Sequence, residues 1–306
     1  MQNQQLRTSY LHRHRLRLAF TTLSLLVLIF ACLDFSGTHP EYWNSLFTNY
    51  AYFFLIGLVA AIVANSTGAG GGIVFLPAFM SLGLSPTEAL ATSFAIQCFG
   101  MTSGSISWLN QRQHEIATHK KQWEHFPSLL FIAFITTLIG LFFVQWNGIA
   151  PPIDIHKLFS IFSLIVALII FYRSFFVNTQ CEGRVGAISY KEYAIMIGFC
   201  LIGGAITAWI SIGIGEILAV VLIILGFRVH MAIALAVCIS SLTVLSAVPY
   251  HVIITQSIDV NILFFAAPGA IIGGAIAKKF ATTIGIKPLK IFMASWIAIS
   301  AIIYLI

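Results

Sequence analysis

Asn65-Ser66-Thr67-Gly68-Ala69-Gly70-Gly71-Gly72 interrupts one long apolar stretch, and Ser211-Ile212-Gly213-Ile214-Gly215-Glu216 interrupts another. The two breaks fall at matching places in the two halves of the chain. In a bilayer, backbone that leaves the helix survives only where protein buries it or where it lines a wet cavity. Broken helices in corresponding positions of two halves are the best sequence pointer to a transporter's binding site. The pair of breaks therefore predicts solute transport.

Composition sets the class. The 306 residues are 59% hydrophobic and 8% charged, far below the roughly 25% charged of soluble domains. The apolar runs are long and continuous, which favours helices over the alternating pattern of a barrel. The net charge of +6 does not indicate nucleic acid, because the basic residues lie between hydrophobic spans and form no basic face. Cys32, Cys98, Cys181, Cys200 and Cys238 show no paired spacing and imply no disulfide framework; four of them lie in or beside apolar runs, as small buried hydrophobes do.

Outward from the breaks, a first apolar segment runs from about 16 to 33 behind Arg7, Arg13, Arg15 and Arg17. It has features of a signal peptide, and Ile29-Phe30-Ala31-Cys32 is similar to a lipoprotein cleavage site except at Phe30. An uncleaved anchor with a cytoplasmic N-terminus is the expectation. Further segments are predicted near 50–82, 87–108, 125–145 and 155–177, then 190–226, 229–252, 259–278 and 288–306. The first of each set of four holds the glycine break.

Lys and Arg in short loops mark the cytoplasmic side. Arg112, Lys120 and Lys121 lie in the 109–124 region, Arg173, Arg184 and Lys191 around the middle linker, and Lys278, Lys279, Lys287 and Lys290 near the last loop. Placing these inside with the tail and Arg228 puts 15 of the 16 basic residues on one side and leaves Lys157 on the other. Segments 50–82 and 190–226 must then each return to the side they started from. Each is predicted to be a hairpin bent at its break, and the halves take opposite orientations. The expected fold is an all-α polytopic membrane protein, with an anchor helix and two inverted repeats that each open with a glycine-broken hairpin. Its parts are 1–49 (basic tail, anchor and outer loop), 50–178 (first repeat) and 179–306 (second repeat). The alternative, a parallel repeat with two long kinked helices, would put one basic loop group outside.

Helices starting after the breaks point free N–H groups and a positive dipole end inward. Such a terminus is a ready anion site. Gly70, Gly71 and Gly72 in the first break, and Gly213 and Gly215 in the second, are the candidate backbone donors for a small anionic solute. Asn65, Ser66, Thr67 and Ser211 are candidate side-chain donors. The helices that follow add Thr92 and Ser93, and Ser240 and Ser241. For these hydroxyls the plain alternative is bonding to their own helix or gluing helices together. Gly57, Gly198, Gly203, Gly204, Gly269, Gly273 and Gly274 are read instead as packing glycines.

Glu216 is the acid placed within the membrane. A charge at a helix centre costs about 2.5–3.5 kcal/mol on insertion scales, so its role is expected to be functional: it binds a proton coupled to transport, or bonds the second break. The alternative is an acid that stabilises its own helix N-terminus. No metal motif, hydrolase motif or Walker A lysine is present, so no cofactor, metal or catalytic residue is predicted and the proton gradient is the expected drive. The partners are the solute and the lipid bilayer, with oligomeric state left open.

Gly70-Gly71-Gly72-Ile73-Val74-Phe75-Leu76-Pro77 and Gly83-Leu84-Ser85-Pro86-Thr87-Glu88-Ala89-Leu90-Ala91-Thr92-Ser93 resemble the sulfite exporter TauE/SafE family. The stretch Pro268-Gly269-Ala270-Ile271-Ile272-Gly273-Gly274-Ala275 and the four-plus-four layout are similar too. The resemblance spans about 50–306 and implies transport of sulfite, sulfonate or thiosulfate, as export across a bacterial inner membrane. The shorter glycine run at 213–215 and the extra anchor depart from the family pattern. Two other readings stand beside it: a passive anion channel using the same site, and an intramembrane enzyme or assembly factor built on Cys98 or Cys238 with a nearby histidine.

Overall fold

A computed structural model describes residues 40–176 and 186–305. The anchor segment, the basic tail, Cys32, Cys181 and Arg184 lie outside the described residues. The chain divides into two compact units, Met1–Ala51 and Tyr52–Ile306. In the first, the described residues form helix α1 (Pro40–Tyr50). The second is all helix among its described residues: α2 (Phe53–Thr67), α3 (Gly72–Ser81), α4 (Pro86–His119), α5 (Phe126–Asn147), α6 (Ile155–Phe176), α7 (Tyr190–Ile210), α8 (Ile214–Ile224), α9 (Val229–Tyr250), α10 (Val260–Ile284) and α11 (Ile286–Leu305). Four helical stretches, Lys120–Asn147, Tyr190–Ile210, Val229–Thr255 and Val260–Ile284, are each long and apolar enough to cross a membrane.

Both glycine breaks are helix–turn–helix hairpins. Gly68 ends α2 in the left-handed conformation at φ 85°. The chain then folds back, bringing the Phe53 ring at the start of α2 to 5.8 Å from the Phe79 ring near the end of α3. In the second break Ser211 ends α7 at φ 58° and Gly213 takes φ 140°. Ile214 and Ile217 then pack on Gly203 of α7, so α8 runs back along α7.

Helix α4 is longer than the sequence predicts. It continues through the expected 109–124 loop to His119, 34 residues in all, or about 51 Å at 1.5 Å per residue. A capping box fixes its start: Ser85 and Glu88 bond each other's backbone, with Pro86 in the first turn. Nothing between 108 and 119 breaks it, and Gln111 donates to Glu115 one turn on at 2.8 Å.

Around α4 the packing has a direction. Thr102 meets Ser241, Ser105 meets the Val237 carbonyl, and the Trp108 ring faces His230; α4 and α9, the helices that follow the two breaks, are therefore antiparallel. Ser103 donates to the Ile271 carbonyl and Ser107 to that of Ala275, so α10 runs parallel to α4. The C-terminal ends of α4 and α10, the 120–124 turn and Arg228 thus lie at one end, as the charge count expects.

Small residues close the remaining crossings. A Cβ on Gly57 or Gly269 would strike the Ala266 or Phe54 carbonyl, which seats α2 on α10. Gly140 and Gly204 meet the Leu201 and Thr137 carbonyls in the same way, which seats α5 on α7. Gly198 differs from the packing role expected of it, since an added Cβ there meets nothing within 4 Å. Gly204→Val should therefore cost about 1–3 kcal/mol of overpacking while Gly198→Val costs little, read as thermal melting of the two detergent-purified variants. Equal melting would refute the backbone-contact account of Gly204.

Candidate functional site: the meeting of the two breaks

The tips of the two hairpins touch. A Cβ on Gly72 would lie 2.6 Å from the Ser211 carbonyl oxygen, and one on Gly215 would strike the Gly68 carbonyl. Only glycine lets the backbones approach this closely. The N-termini of α3 and α8 therefore converge at one place, each bringing N–H groups with no acceptor in their own helix and a positive dipole end.

Glu216 lies between them. It is the third residue of α8 and fully buried. Its Oε1 accepts the Gly70 N–H at 2.7 Å, and its Oε2 accepts the Gly213 N–H at 2.9 Å. One carboxylate thus caps both breaks with charge-assisted bonds. It fulfils the role of an acid at its own helix end and also reaches across to the other half of the chain.

Gln97 of α4 holds the rest. Its Oε1 accepts the Gly71 N–H at 2.8 Å. Its Nε2 donates to Ser211 Oγ at 2.7 Å and Ser93 Oγ at 3.0 Å, and those two hydroxyls are 3.2 Å apart. Thr207 of α7 accepts the Ile214 N–H at 3.0 Å. Ser211 is one of two non-glycine residues at positive φ among the described residues, a conformation that costs on the order of 1–3 kcal/mol. That conformation presents its hydroxyl to Gln97.

A cavity of about 10 Å³ lies against these groups, lined by Gly70, Gln97, Ser211, Gly213, Gly215 and Ser240 among others. That is room for about one water. Ser240 Oγ is buried in its wall with no hydrogen-bond partner among the described residues.

The structure brings Gly70, Gly71, Gly72, Ser93, Ser211, Gly213, Gly215, Glu216 and Ser240 together. Five of the other candidates lie elsewhere. The Asn65 side-chain amide donates to the Ala61 and Gly100 carbonyls, and the Asn65 backbone carbonyl accepts from the Trp108 indole. Ser66 and Thr67 return their hydroxyls to Val63, as helical hydroxyls commonly do. Thr92 accepts the Asp259 N–H, and Ser241 pairs with Thr102. Gln97 and Thr207 were not among the predicted site residues. The available signal was spacing: Gln97 stands four residues after Ser93 and Thr207 four before Ser211, on the same helical faces.

Two helical hairpins meet tip to tip inside a bundle of apolar helices, around a buried carboxylate, the layout of a polytopic membrane transporter built on broken helices. The family described as "Sulfite exporter TauE/SafE" matches residues 53–304, and the chain belongs to that family. It is 23% identical over 248 residues to a "Probable membrane transporter protein" of Haemophilus influenzae, covering 80% of this chain and 91% of that protein. It is 24% identical over 165 residues to "Probable membrane transporter protein YfcA" of Escherichia coli K12, covering 53% of this chain and 56% of that relative. No solved structure matches the chain. The protein is a membrane transporter and not an enzyme. Of the two cysteines that an enzyme reading would use, Cys98 packs against the apolar core and Cys238 faces Ser105 and Arg112; neither surrounding is that of a nucleophile with a base.

Proposed function

We propose that this protein carries a small sulfur-containing anion, such as sulfite, thiosulfate or a sulfonate, out across the bacterial inner membrane in exchange with or alongside protons. The carrying observation is the convergence of two helix N-termini on one buried carboxylate. Those ends favour an anion, and the carboxylate is the group that can take a proton. The antiparallel crossing of α4 and α9 supports two inverted repeats, 50–178 and 179–306, rocking about the meeting point. The clustering of basic residues at the C-terminal ends of α4 and α10 supports a cytoplasmic face there; the arginines of the tail support a cytoplasmic N-terminus by the same rule. The filled tip favours a carrier over a passive channel, which needs a continuous wet path.

Uptake of radiolabelled sulfite, thiosulfate, a sulfonate and sulfate into proteoliposomes tests this, with and without an imposed pH gradient. Saturable flux of a sulfur anion that follows the gradient in wild type, and loses that dependence in Glu216→Gln, is the expected result. Non-saturable flux would establish a channel. No flux of any of these anions would refute the substrate class.

A further inference from the structure

Glu216 faces two different spaces. Its carboxylate caps the breaks at Gly70 and Gly213. Glu216 also lines a second space of about 330 Å³ between α6, α7 and α8, an open apolar cleft whose walls include Phe162, Ile165, Phe199, Ile202, Ile217 and Val220. That second space is apolar apart from Glu216, and the small cavity by Ser240 has no titratable residue in its lining. Of the titratable groups on the helices packed around α8, none but Glu216 is in either lining, and four have partners elsewhere. Cys200 of α7 faces Thr136 and Thr137, and Cys238 of α9 faces Ser105 and Arg112. On α9, His230 lies beside Glu115. At the start of α7, Glu192 caps Ser189.

With Glu216 in place, the anion site is already filled. Glu216 holds the Gly70 and Gly213 N–H groups, Gln97 and Thr207 hold those of Gly71 and Ile214, and the remaining cavity holds about 10 Å³, too little for an oxyanion. Yet Ser240 Oγ is buried beside it without a partner. A buried hydroxyl left unpaired is costly, and here it lines a space that one more acceptor would complete.

We infer that the Glu216 carboxylate is a built-in stand-in for the transported anion, and that the two exchange places: the protonated side chain turns into the apolar α6–α7–α8 cavity, and the substrate oxyanion takes the Gly70 and Gly213 N–H groups with Ser240 as an added donor. An ionised carboxylate cannot make that move cheaply, because the receiving walls offer no polar partner. A neutral carboxyl can. One proton therefore arrives for each negative charge that binds, and the buried site keeps a constant charge. The inference rests on the anion-carrier reading and supplies its coupling step: proton and anion cross together, so export runs on the anion's own outward gradient, and an inward proton gradient alone drives uptake.

The test uses formate, the smallest carboxylate, as probe, with binding to detergent-purified protein read by calorimetry and thermal shift. Glu216→Ala removes the internal competitor, and its apparent formate affinity at pH 8 should exceed wild type by about tenfold or more, as expected when the competent state is a minor population. Wild type should approach that affinity only at acid pH. Val220→Phe, which fills the receiving cavity, should abolish formate binding in the wild-type background and leave it intact in Glu216→Ala, where no side chain has to move. Should Glu216→Ala not fold even with formate, Glu216→Gln must bind formate at pH 8 as tightly as wild type does in acid. A folded Glu216→Ala or Glu216→Gln that binds no formate overturns the inference, and so does Val220→Phe behaving as wild type. Formate binding as expected without flux of any sulfur anion would overturn the carrier reading alone.

Discussion

Gln97→Leu is expected to stop transport and to lower stability by about 1–3 kcal/mol. Gln97 is the acceptor for the Gly71 N–H and the donor to Ser211 and Ser93, and it is 2% exposed. Leucine has similar bulk but none of these bonds. The two serine hydroxyls retain each other, at 3.2 Å. The Gly71 N–H, however, loses its side-chain acceptor inside the protein, and a buried donor left unmade costs about that amount. Gln97 is also the tie from the first break through α4 to the second, so losing it frees the two tips to drift apart. Thermal melting in detergent reads the first effect, and proteoliposome flux reads the second. Gln97→Glu separates charge from shape. It keeps an acceptor for Gly71 but sets a second carboxyl on the N–H next to the one Glu216 holds. That variant should melt lower at neutral pH than in acid, because like charges held together repel. Wild-type melting and flux in Gln97→Leu would show that the tips are held by backbone packing alone.

The breaks were legible because glycine clustered beside polar residues, inside an apolar run, has few uses in a membrane chain except to turn the backbone where protein buries it. Helix boundaries at the second break followed from the same run, since 190–226 resolves into Tyr190–Ile210 and Ile214–Ile224, whereas the end of α4 did not. Glu216 stood out for its cost. The partners of these groups were not legible. Asn65, Ser66 and Thr67 sit beside the first break in sequence, but they belong to the last turn of α2 and bond within and beside their own helix. Gln97 is 26 residues from Gly71 and meets it only because α3 folds back and α4 returns past the tip. Adjacency along a helix says which face a residue shares, not which neighbour that face meets. The same limit explains Gly198 and Gly204. Both are helical glycines of α7, and only the crossing of α5 distinguishes them.

Arg228→Leu is expected to destabilise the end of the bundle opposite the start of α4, by about 1–3 kcal/mol at neutral pH and by little in strong acid. Arg228 Nη1 bonds Glu115 at 2.8 Å and Gln122 at 3.2 Å. It thereby fastens the entry of α9 to α4 and to the 120–124 turn. Glu115 also accepts from Gln111 at 2.8 Å and from the Trp123 indole at 3.2 Å, and His230 lies 3.5 Å away. Burial pushes the Glu115 carboxyl up, but hydrogen bonds from His230 and Gln111 and the charge on Arg228 outweigh it and hold it at about 2. The pair is largely shielded from water, with the side chains 25% and 11% exposed. Removing Arg228 leaves a partly buried carboxylate short of its cation, and a charged hydrogen-bond partner lost this way costs about the amount stated. The pH dependence has a definite sign. Glu115 stays ionised in the folded protein below the pH at which it protonates in the unfolded chain, so unfolding takes up a proton between about 4.5 and 2. The stabilisation is complete above that window and is lost as pH falls through it. The melting difference between wild type and Arg228→Leu should therefore be flat from pH 8 to 5 and close in acid. Both bonds leave one nitrogen, Nη1, so Arg228→Lys, whose ammonium also carries several donors, should recover most of the difference. A melting difference that grows in acid would mean that Arg228 acts through the bulk of its side chain rather than through Glu115.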